Sequence, residues 1–316
     1  MSLDSLPSRL FEAKLGLLDS LPLLPSPWCD YAREYIIAGA GEGKSAKTAK
    51  IYTYVLARFL NFLNDTGPPV NAALVRRYIF EQQVRGLTPS TVHIHYRTLH
   101  SWFNWLVKEK TLPHSPMENI KPPKLAEVVI PAFTTEELKR ILAICSGKRF
   151  VDLRNRAMIL LLLDTGIRLA ETARLEYFDV EPGQQLIKVH GKGGKERIVP
   201  FGRKTLAAIQ VYVAKRHDEY EALWVSEERR PMTYYGVATA IRRVVQFAEV
   251  TRVKRGPHTF RHTMAITYLR NGGDVFTLQK ILGHKTLEMT QRYAKVLIDD
   301  VVKAHRKASP VDNLRL

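Results

Sequence analysis

Cysteine is scarce in this chain. The 316 residues include only Cys29 and Cys145, which lie far apart in the sequence. This scarcity argues against a disulfide framework and a cysteine zinc site, so a reducing cytoplasm is the expected compartment. Long apolar runs are also missing, because the longest, residues 157–163, is far shorter than the ~20 residues that span a bilayer. No basic region precedes an apolar stretch at the N-terminus, so we expect neither a membrane span nor a signal peptide.

Acidic residues are the second shortage. The chain has 31 Asp and Glu residues against 48 Lys and Arg residues, which gives a formal net charge of +17 and a pI near 9.8. Residues 28–124 and residues 125–316 both carry a positive excess, whereas residues 1–27 do not. A basic excess in two parts of the chain favours a clamp that contacts a polyanion from two sides over a single basic tail.

The length predicts about two domains. A proline-rich stretch, residues 111–132, predicts an interdomain linker between a first domain at 27–110 and a second at 133–316. A long surface loop is the alternative. The leucine-rich residues 1–26 predict a short amphipathic helix that packs on the domain after it, and contact with a neighbouring protomer is the alternative there.

Four helices are predicted in the first domain. The first covers roughly residues 28–38, Ser45 caps the second, Asn71 caps a third that runs to Arg85, and the Thr88-Pro89 pair opens the fourth. The faces opposite their apolar stripes are either a surface for the polyanion or the solvated side of an ordinary bundle. The basic residues there are Lys44, Lys47, Lys50, Arg76, Arg77, Arg85 and Arg97.

The second domain is predicted to mix helices with a small sheet. A capping box at residues 134–137 opens it, and an apolar helix at 152–164 forms its core until Gly166 ends that helix. Short β-like runs lie at 177–180, 186–190 and 196–200, and the last two form a hairpin with Lys192 at its tip. The glycine-rich turn lacks the Ser or Thr of a Walker phosphate loop. Further helices are predicted at 204–217 and 233–248.

Residues 258–293 gather the side chains that point to chemistry. Pro257 suits the first turn of a helix, which places His258 and Arg261 on one face at i and i+3. Gly283 ends the following helix, so His284 lies at a helix terminus. Tyr293 falls near the end of another predicted helix, residues 286–294.

These side chains suit phosphoryl transfer. The phenol of Tyr293 is a poor nucleophile at its free pKa of about 10, but a base and nearby cations would make it useful. An arginine matches two phosphate oxygens with its planar fork. His258, His262 and His284 do not predict a metal site, because their spacing lacks the glutamate of a zinc-protease helix. We predict that His262 points to a different face of the helix from Arg261 and is a structural hydrogen-bonding residue, not a catalyst.

Five motifs together resemble the tyrosine recombinase, or phage integrase, family. HTFRH at 258–262, GH at 283–284 and Tyr293 resemble its C-terminal half. TGIR at 165–168, followed by Glu171, resembles the motif of its first arginine, and GKGGKER at 191–197 resembles the hairpin of its catalytic lysine. The resemblance implies a mainly α protein with a small β-sheet. Its two domains would be a SAM-like helical core-binding domain and an α+β catalytic domain.

The resemblance also implies a role for each matching residue. Tyr293 would attack a DNA phosphate, form a 3′-phosphotyrosyl link and release a 5′-hydroxyl. The cations would act on the same phosphate: Arg168 and Arg261 would hold its non-bridging oxygens, His284 would donate a hydrogen bond, Lys192 would be the general acid and His258 the general base. Glu171 would orient Arg168. Neither ATP nor any cofactor or metal is needed, because the covalent link preserves the ester energy.

Partners follow from the same resemblance. They are double-stranded DNA with a specific recombination site and a homotetramer on that DNA, with the segment after Tyr293 (a predicted helix at 294–308) packed on a neighbouring protomer. Further DNA contacts are expected from Lys195, Arg252, Lys254 and Arg255. Two other hypotheses stay open, a type IB topoisomerase-like relaxase and a DNA-binding protein with idle catalytic residues.

Overall fold

The structure, a computed structural model, describes residues 27–66, 70–125, 130–191 and 194–294 and the single residue Ser309. The chain divides into two compact units, with the boundary between Glu127 and Val128. Three predictions lie outside the described residues: the N-terminal helix within 1–26, the position of Lys192, and the helix at 294–308.

The described residues of the first unit form four helices, as predicted. They are α1 (Pro27–Gly41), α2 (Ala46–Thr66), α3 (Ala72–Val84) and α4 (Pro89–Lys108). The Asn71 side chain accepts from Leu74 N at the start of α3, and the Thr88 hydroxyl accepts from Thr91 N at the start of α4, so both predicted caps are confirmed. These caps satisfy N–H groups that a helix start leaves without intrahelical partners.

Large aromatic side chains fill the core of this first unit. Trp102 and Phe103 on α4 are fully buried, as is Phe59 on α2. The Phe59 ring meets the Tyr78 ring edge to face, with 5.0 Å between ring centroids. Helix α4 contacts the other three helices, so its apolar stripe organises the bundle.

The second unit is mainly helical with a small sheet. Helices α5 (Thr135–Ile144), α6 (Phe150–Thr165) and α7 (Leu169–Thr172) precede strands β1 (Val180–Glu181), β2 (Leu186–His190) and β3 (Glu196–Pro200). The strands form one antiparallel sheet in the order β1-β2-β3, with Val189 opposite Arg197. Then follow α8 (Arg203–Val213), α9 (Tyr234–Phe247), α10 (Pro257–Arg270), α11 (Val275–Leu282) and α12 (Glu288–Ala294).

Helix α6 is the centre of the second unit. Its apolar residues Ala157, Met158 and Leu161 are fully buried, and it packs on α8 and α10. The capping box that opens this unit is confirmed, because Thr134 and Glu137 exchange hydrogen bonds between side chain and backbone. Among the described residues, no helix combines the length and the apolar character needed to cross a membrane.

One strand prediction is wrong. Residues 177–180 were expected to be β-like, but Tyr177–Asp179 is a single 3₁₀ turn and only the last of the four residues begins β1. The Asp179 carboxylate accepts from Glu176 N at 2.9 Å, and that local side-chain bond closes the chain into a turn. The buried Asp179 also contacts His190 Nε2 at 2.9 Å, which ties the turn to β2.

The stretch at 111–132 contains no helix or strand in its described part, but it has core contacts that the sequence analysis did not predict. Met117 is fully buried in the core of the first unit, and Ile130 is buried in the core of the second. The Tyr96 hydroxyl also donates to Ile120 O at 2.7 Å. The sequence gives no sign of these contacts, because the prolines prevent regular structure and an irregular chain buries single side chains without a repeating period.

We predict that Met117→Ala destabilises the first unit by about 2–5 kcal/mol, because it removes a fully buried side chain and leaves a cavity. Urea unfolding followed by tryptophan fluorescence measures this loss. The control is Glu118→Ala, an exposed neighbour, which should change stability by less than about 0.5 kcal/mol. Equal effects from the two substitutions would contradict the core assignment.

Candidate active site

Gly166 sets the position of Arg168. Helix α6 ends there because Gly166 adopts a left-handed conformation with φ of 60°. This φ favours glycine, and a Cβ on Gly166 would also lie 2.8 Å from Leu282 Cδ2, so a larger residue would displace the α11 side chain packed on the turn. The turn places Arg168 at the start of α7, beside the C-terminal end of α11.

Three arginines converge on the C-terminal end of α11. Arg197 Nε donates to Ile281 O at 3.0 Å, Arg261 Nη2 donates to Leu282 O at 2.8 Å, and Arg168 Nη2 donates to Gly283 O at 3.3 Å. A helix end leaves such carbonyls without intrahelical partners and carries partial negative charge, so it attracts cations. Each of three successive carbonyls therefore binds one guanidinium.

Glu171 links two of these arginines. Its buried carboxylate accepts from Arg168 N at 2.7 Å and from Arg168 Nη1 at 3.0 Å. Both carboxylate oxygens also accept from Arg197, each at 2.9 Å. Burial alone raises the pKa of Glu171, but the hydrogen bonds from Arg197 and Arg168 outweigh it, so this pKa lies below its usual value. The carboxylate stays ionised and holds both cations.

Arg261 is the most buried of these cations. Only 5% of its surface is exposed, and besides Leu282 O it donates to Gly166 O at 2.7 Å. Burial, and next the charge of Arg168, lowers the pKa of Arg261 to about 10. The guanidinium therefore remains charged at neutral pH, so a positive charge is held inside the protein by neutral carbonyls.

His284 follows the left-handed cap residue Gly283, whose φ is 63°. Its Nδ1 contacts Thr290 Oγ1 at 2.8 Å, and its ring stacks on the Tyr293 ring with 6.3 Å between centroids and 9° between planes. Burial, and next the charge of Arg261, lowers the pKa of His284 to about 4. The imidazole is therefore neutral at physiological pH.

Tyr293 lies inward on α12, with 2% of its surface exposed. Its hydroxyl is 2.9 Å from His262 Nδ1. Burial raises the pKa of Tyr293, and the nearby charges of Arg261, Arg292 and Arg168 act in the opposite direction. The phenol is thus neutral and hydrogen-bonded within a positive field.

The structure therefore brings together most of the predicted site. Arg168, Glu171, Arg261 and His284 surround one helix end, and Tyr293 stacks on the last of these. His258 is exposed in the first turn of α10, one turn before Arg261. Among the described residues no group of three or more His, Cys, Asp or Glu side chains could hold a metal.

Sequence reasoning missed two members. Arg197 was overlooked because its partner Glu171 is 26 residues away, and no local spacing shows such a pair. His262 was predicted to be a structural hydrogen-bonding residue on a different face from Arg261, and no feature of the sequence indicated that its Nδ1 contacts the Tyr293 hydroxyl at 2.9 Å. The available signal was its position beside Arg261. Helical periodicity shows which face a residue lies on, but it does not show which residue of α12 packs against that face.

The predicted DNA contacts divide into two groups. One group is exposed with no ion pair in the described structure, and it includes Lys47, Lys50, Arg76, Arg97, Lys195 and Lys254. The second group has protein partners: Lys44 contacts Glu42 at 2.6 Å, Arg77 contacts Glu81 at 3.5 Å and Arg255 Nε donates to Val250 O at 3.0 Å.

Arg252 also has protein partners, and it contacts two of them. Its guanidinium pairs with Glu137 at 2.7 Å and donates to Ala132 O, so it joins the start of α5 to the loop before α10. This pairing gives Arg252 a structural role that the sequence did not indicate.

Known proteins resemble this chain in sequence and fold. Residues 131–298 match the phage integrase family. The tyrosine recombinase XerA of Thermococcus kodakarensis is 31% identical over 274 residues, which are 86% of this chain and 93% of the relative. The tyrosine recombinase XerC of Thermodesulfovibrio yellowstonii is 30% identical over 280 residues, which are 85% and 92% of the two chains.

Two solved structures share the fold at lower identity. The XerH site-specific recombinase, bound to its palindromic difH substrate after cleavage, has a TM-score of 0.73 at 18% identity over 99% of this chain and 92% of its own. A lambda integrase dimer bound to a COC′ core site has a TM-score of 0.64 at 18% identity over 82% and 96% of the two chains.

We predict that Glu171→Gln destabilises the second unit by about 2 kcal/mol at pH 7, because a buried carboxylate with charged hydrogen-bond donors is lost. The pKa of Glu171 is lowered in the folded state, so its ionisation stabilises the fold above the unfolded pKa of about 4.3, and this contribution is lost as the pH falls through the folded value. Urea unfolding of both proteins should therefore show their difference shrinking below about pH 4. The control is the exposed Glu136→Gln, and a difference for Glu171→Gln that is independent of pH would contradict the charge argument.

Proposed function

The chain belongs to the phage integrase family and is an enzyme of site-specific recombination that breaks and rejoins DNA strands, and from this premise we propose a role for each residue of its site. Tyr293 Oη attacks the scissile phosphorus and displaces the 5′ oxygen, which leaves a 3′-phosphotyrosyl link. The link keeps the energy of the phosphodiester, so the reverse attack by a 5′-hydroxyl rejoins the strand without ATP or metal.

Arg168 and Arg261 bind the two non-bridging oxygens in this proposal. The transition state spreads negative charge over these oxygens, so fixed cations stabilise it more than the ground state. What supports the assignment is that both guanidiniums are held by backbone carbonyls and, for Arg168, by Glu171. Their positions are set before DNA arrives, so little reorganisation opposes binding.

His284 donates a further hydrogen bond to the phosphate. If Thr290 donates its hydroxyl proton to His284 Nδ1, the neutral ring carries its own proton on Nε2. A neutral donor adds a hydrogen bond without adding charge to a site that is already cationic.

Lys192 protonates the leaving 5′ oxygen, and His258 contacts the phosphate from the exposed first turn of α10. Both roles follow from the family motifs GKG and HxxR. Among the described residues of the β2–β3 turn, the one lysine is Lys195, whose backbone carbonyl accepts from Gly191 N at 2.7 Å. Lys195 is therefore proposed as a contact to the DNA backbone.

Both units bind double-stranded DNA at a specific recombination site, and four protomers assemble there. Exchange between two duplexes requires four strand cuts, so four nucleophiles are needed. The domain limits proposed are 27–110 for the core-binding domain, 111–132 for the linker and 133–316 for the catalytic domain. The segment after Tyr293 packs on a neighbouring protomer.

The observation that carries the assignment is the convergence of Tyr293, Arg261 and His284 at the end of α11, beside Arg168. A relaxase of the type IB topoisomerase kind would share this chemistry, and an idle DNA-binding protein would lack it. No described feature favours either alternative, so both become outcomes of the test below.

We predict that Tyr293→Phe abolishes covalent attachment to DNA while leaving DNA binding within about twofold, because only the phenolic oxygen is removed. The Tyr293→Phe protein first selects its target from a random duplex library. The selected duplex, nicked close to the cleavage position so that the free end diffuses away, then traps the adduct of the unchanged enzyme on a denaturing gel. The control is Tyr235→Phe, an exposed tyrosine on α9, which should form the adduct at the normal rate.

An adduct formed by Tyr293→Phe would show that the nucleophile is misassigned. Binding without any adduct from the unchanged enzyme would favour the idle protein. Relaxation of plasmids without the selected sequence would favour the relaxase.

We predict that the double substitution Lys47→Ala with Lys50→Ala weakens binding to all DNA sequences alike, since phosphate contacts carry no sequence information. Each lost contact should reduce the slope of log K against log salt by about 1. Filter binding at salt concentrations from about 50 to about 200 mM measures this slope. Lys139→Ala, an exposed lysine on α5, is the matched control, and an unchanged slope for the double variant would remove these lysines from the interface.

A further inference from the structure

We propose that His262 accepts the phenolic proton of Tyr293 and is the general base of strand cleavage. The inference rests on the proposed function, in which Tyr293 is the nucleophile. It replaces His258 in the basic role that the family motif suggests and leaves His258 as a contact to the phosphate.

The position of His262 comes from two helices. It lies in the second turn of α10, directly after Arg261 and four residues after His258. Helix α12 brings Tyr293 against it, with 2.9 Å from His262 Nδ1 to Tyr293 Oη and 5.7 Å between the ring centroids. A general base must lie within ~2.6–3.2 Å of the group whose proton it takes, and His262 meets this distance already in the absence of substrate.

Two imidazoles flank the Tyr293 ring, and they do different things. The His284 ring stacks on the phenol face, nearly parallel to it, while its Nδ1 is engaged by Thr290. The His262 ring is tilted 49° to the phenol and meets its hydroxyl with a ring nitrogen. The geometry gives His262 the direct contact to the proton that must leave.

The charge state of His262 suits an acceptor. Burial lowers the pKa of His262 to about 4, and electrostatic interactions with Arg292 on α12 and with His258 and Arg261 on α10 act in the same direction. The pKa of Tyr293 is raised by burial. The phenol therefore donates and the neutral Nδ1 accepts in the resting enzyme, and the ring proton lies on Nε2.

The same surroundings make this base depend on DNA. In the free enzyme the cations around His262 disfavour an imidazolium. A scissile phosphate held by Arg168 and Arg261 brings negative charge into the site and offsets that field. His262 thus becomes a better base when the substrate anion is in place, and Tyr293 stays protonated without it.

The proton transfer balances in both directions. As the bond from Tyr293 Oη to phosphorus forms, the phenolic proton moves to His262 Nδ1 and the bond from phosphorus to the 5′ oxygen breaks. The leaving 5′ oxygen takes a proton from the general acid, assigned here to Lys192. In rejoining, the 5′-hydroxyl returns its proton to that acid and attacks, and the imidazolium returns its proton to the departing Tyr293 oxygen.

The first test compares His262→Asn with His262→Ala. Asparagine places an amide oxygen near the position of Nδ1, so it keeps a hydrogen-bond acceptor for Tyr293 but cannot take the proton. We expect single-turnover cleavage of the nicked target to fall by about 10²–10⁴-fold in both variants. Binding of the intact target should stay within about twofold, and circular dichroism should be unchanged. His217→Asn, an exposed histidine beyond α8, is the control.

The pH profile separates a base from a positioning residue. For both His262 variants the logarithm of the cleavage rate should rise with unit slope between about pH 6 and 9, because hydroxide replaces the lost base. The unchanged enzyme should show a plateau over part of that range. Cleavage by His262→Asn at the normal rate and with the normal pH profile would overturn the proposal and leave His262 with a hydrogen-bonding role only.

A second substrate separates base from acid. A target with sulfur in place of the bridging 5′ oxygen has a leaving group that needs no protonation. It should restore cleavage by Lys192→Ala, whereas the His262 variants should stay slow on it. Restored cleavage of this target by the His262 variants would overturn the proposal. So would a normal cleavage rate for the His262 variants if His258→Asn instead showed slow cleavage that rises with pH. Failure of the proposed function looks different, since the Tyr293→Phe protein would then form an adduct or the unchanged enzyme would form none.

Discussion

The site depends on one short helix end. The carbonyls of Ile281, Leu282 and Gly283 each accept from a different arginine, and those arginines come from β3, α10 and the turn after α6. An uncapped helix terminus would be unstable beside the core, and three buried or half-buried guanidiniums would be unstable without partners. The carbonyls of the helix end and the guanidiniums therefore stabilise each other. Because the helix end is also followed directly by His284, the same interaction that completes the fold positions the residues of the candidate site.

The balance of charge in this cluster explains its chemistry. Glu171 is the only carboxylate that contacts Arg168 or Arg197 in the described structure, and Arg261 is held by carbonyls alone. The positive charges therefore exceed the negative ones until a phosphate enters. Burial, and next this positive charge, lowers the pKa of both His262 and His284 to about 4, so neither imidazole adds further charge to the site at neutral pH. In the proposed mechanism, affinity for the phosphate and control of the proton thus depend on the same positive field.

Gly283 shows how closely fold and chemistry are joined. A Cβ at this residue would lie 3.0 Å from Arg197 Nε, and its φ of 63° is one that other residues rarely adopt. Glycine here allows the helix to stop, lets Arg197 pass beneath the turn to reach Glu171, and orients His284. The Gly283-His284 motif in the sequence therefore reflects the packing of Arg197 against this helix end.

Local features of the sequence determined much of this protein. Helix caps at Asn71, Thr88 and Thr134, the break at Gly166 and the hairpin strands follow from interactions within a few residues, and such interactions persist whatever surrounds them. The motif spacing also indicated Arg168, Arg261, His284 and Tyr293 as one site, since the first helical turn and the helix ends fix their directions. Tertiary structure alone decided the rest. Arg197 meets Glu171 across 26 residues, Arg252 meets Glu137 across 115, and Met117 enters a core from an irregular stretch. His262 meets Tyr293 only because α10 packs on α12, and contacts between elements distant in sequence depend on packing that no local period encodes.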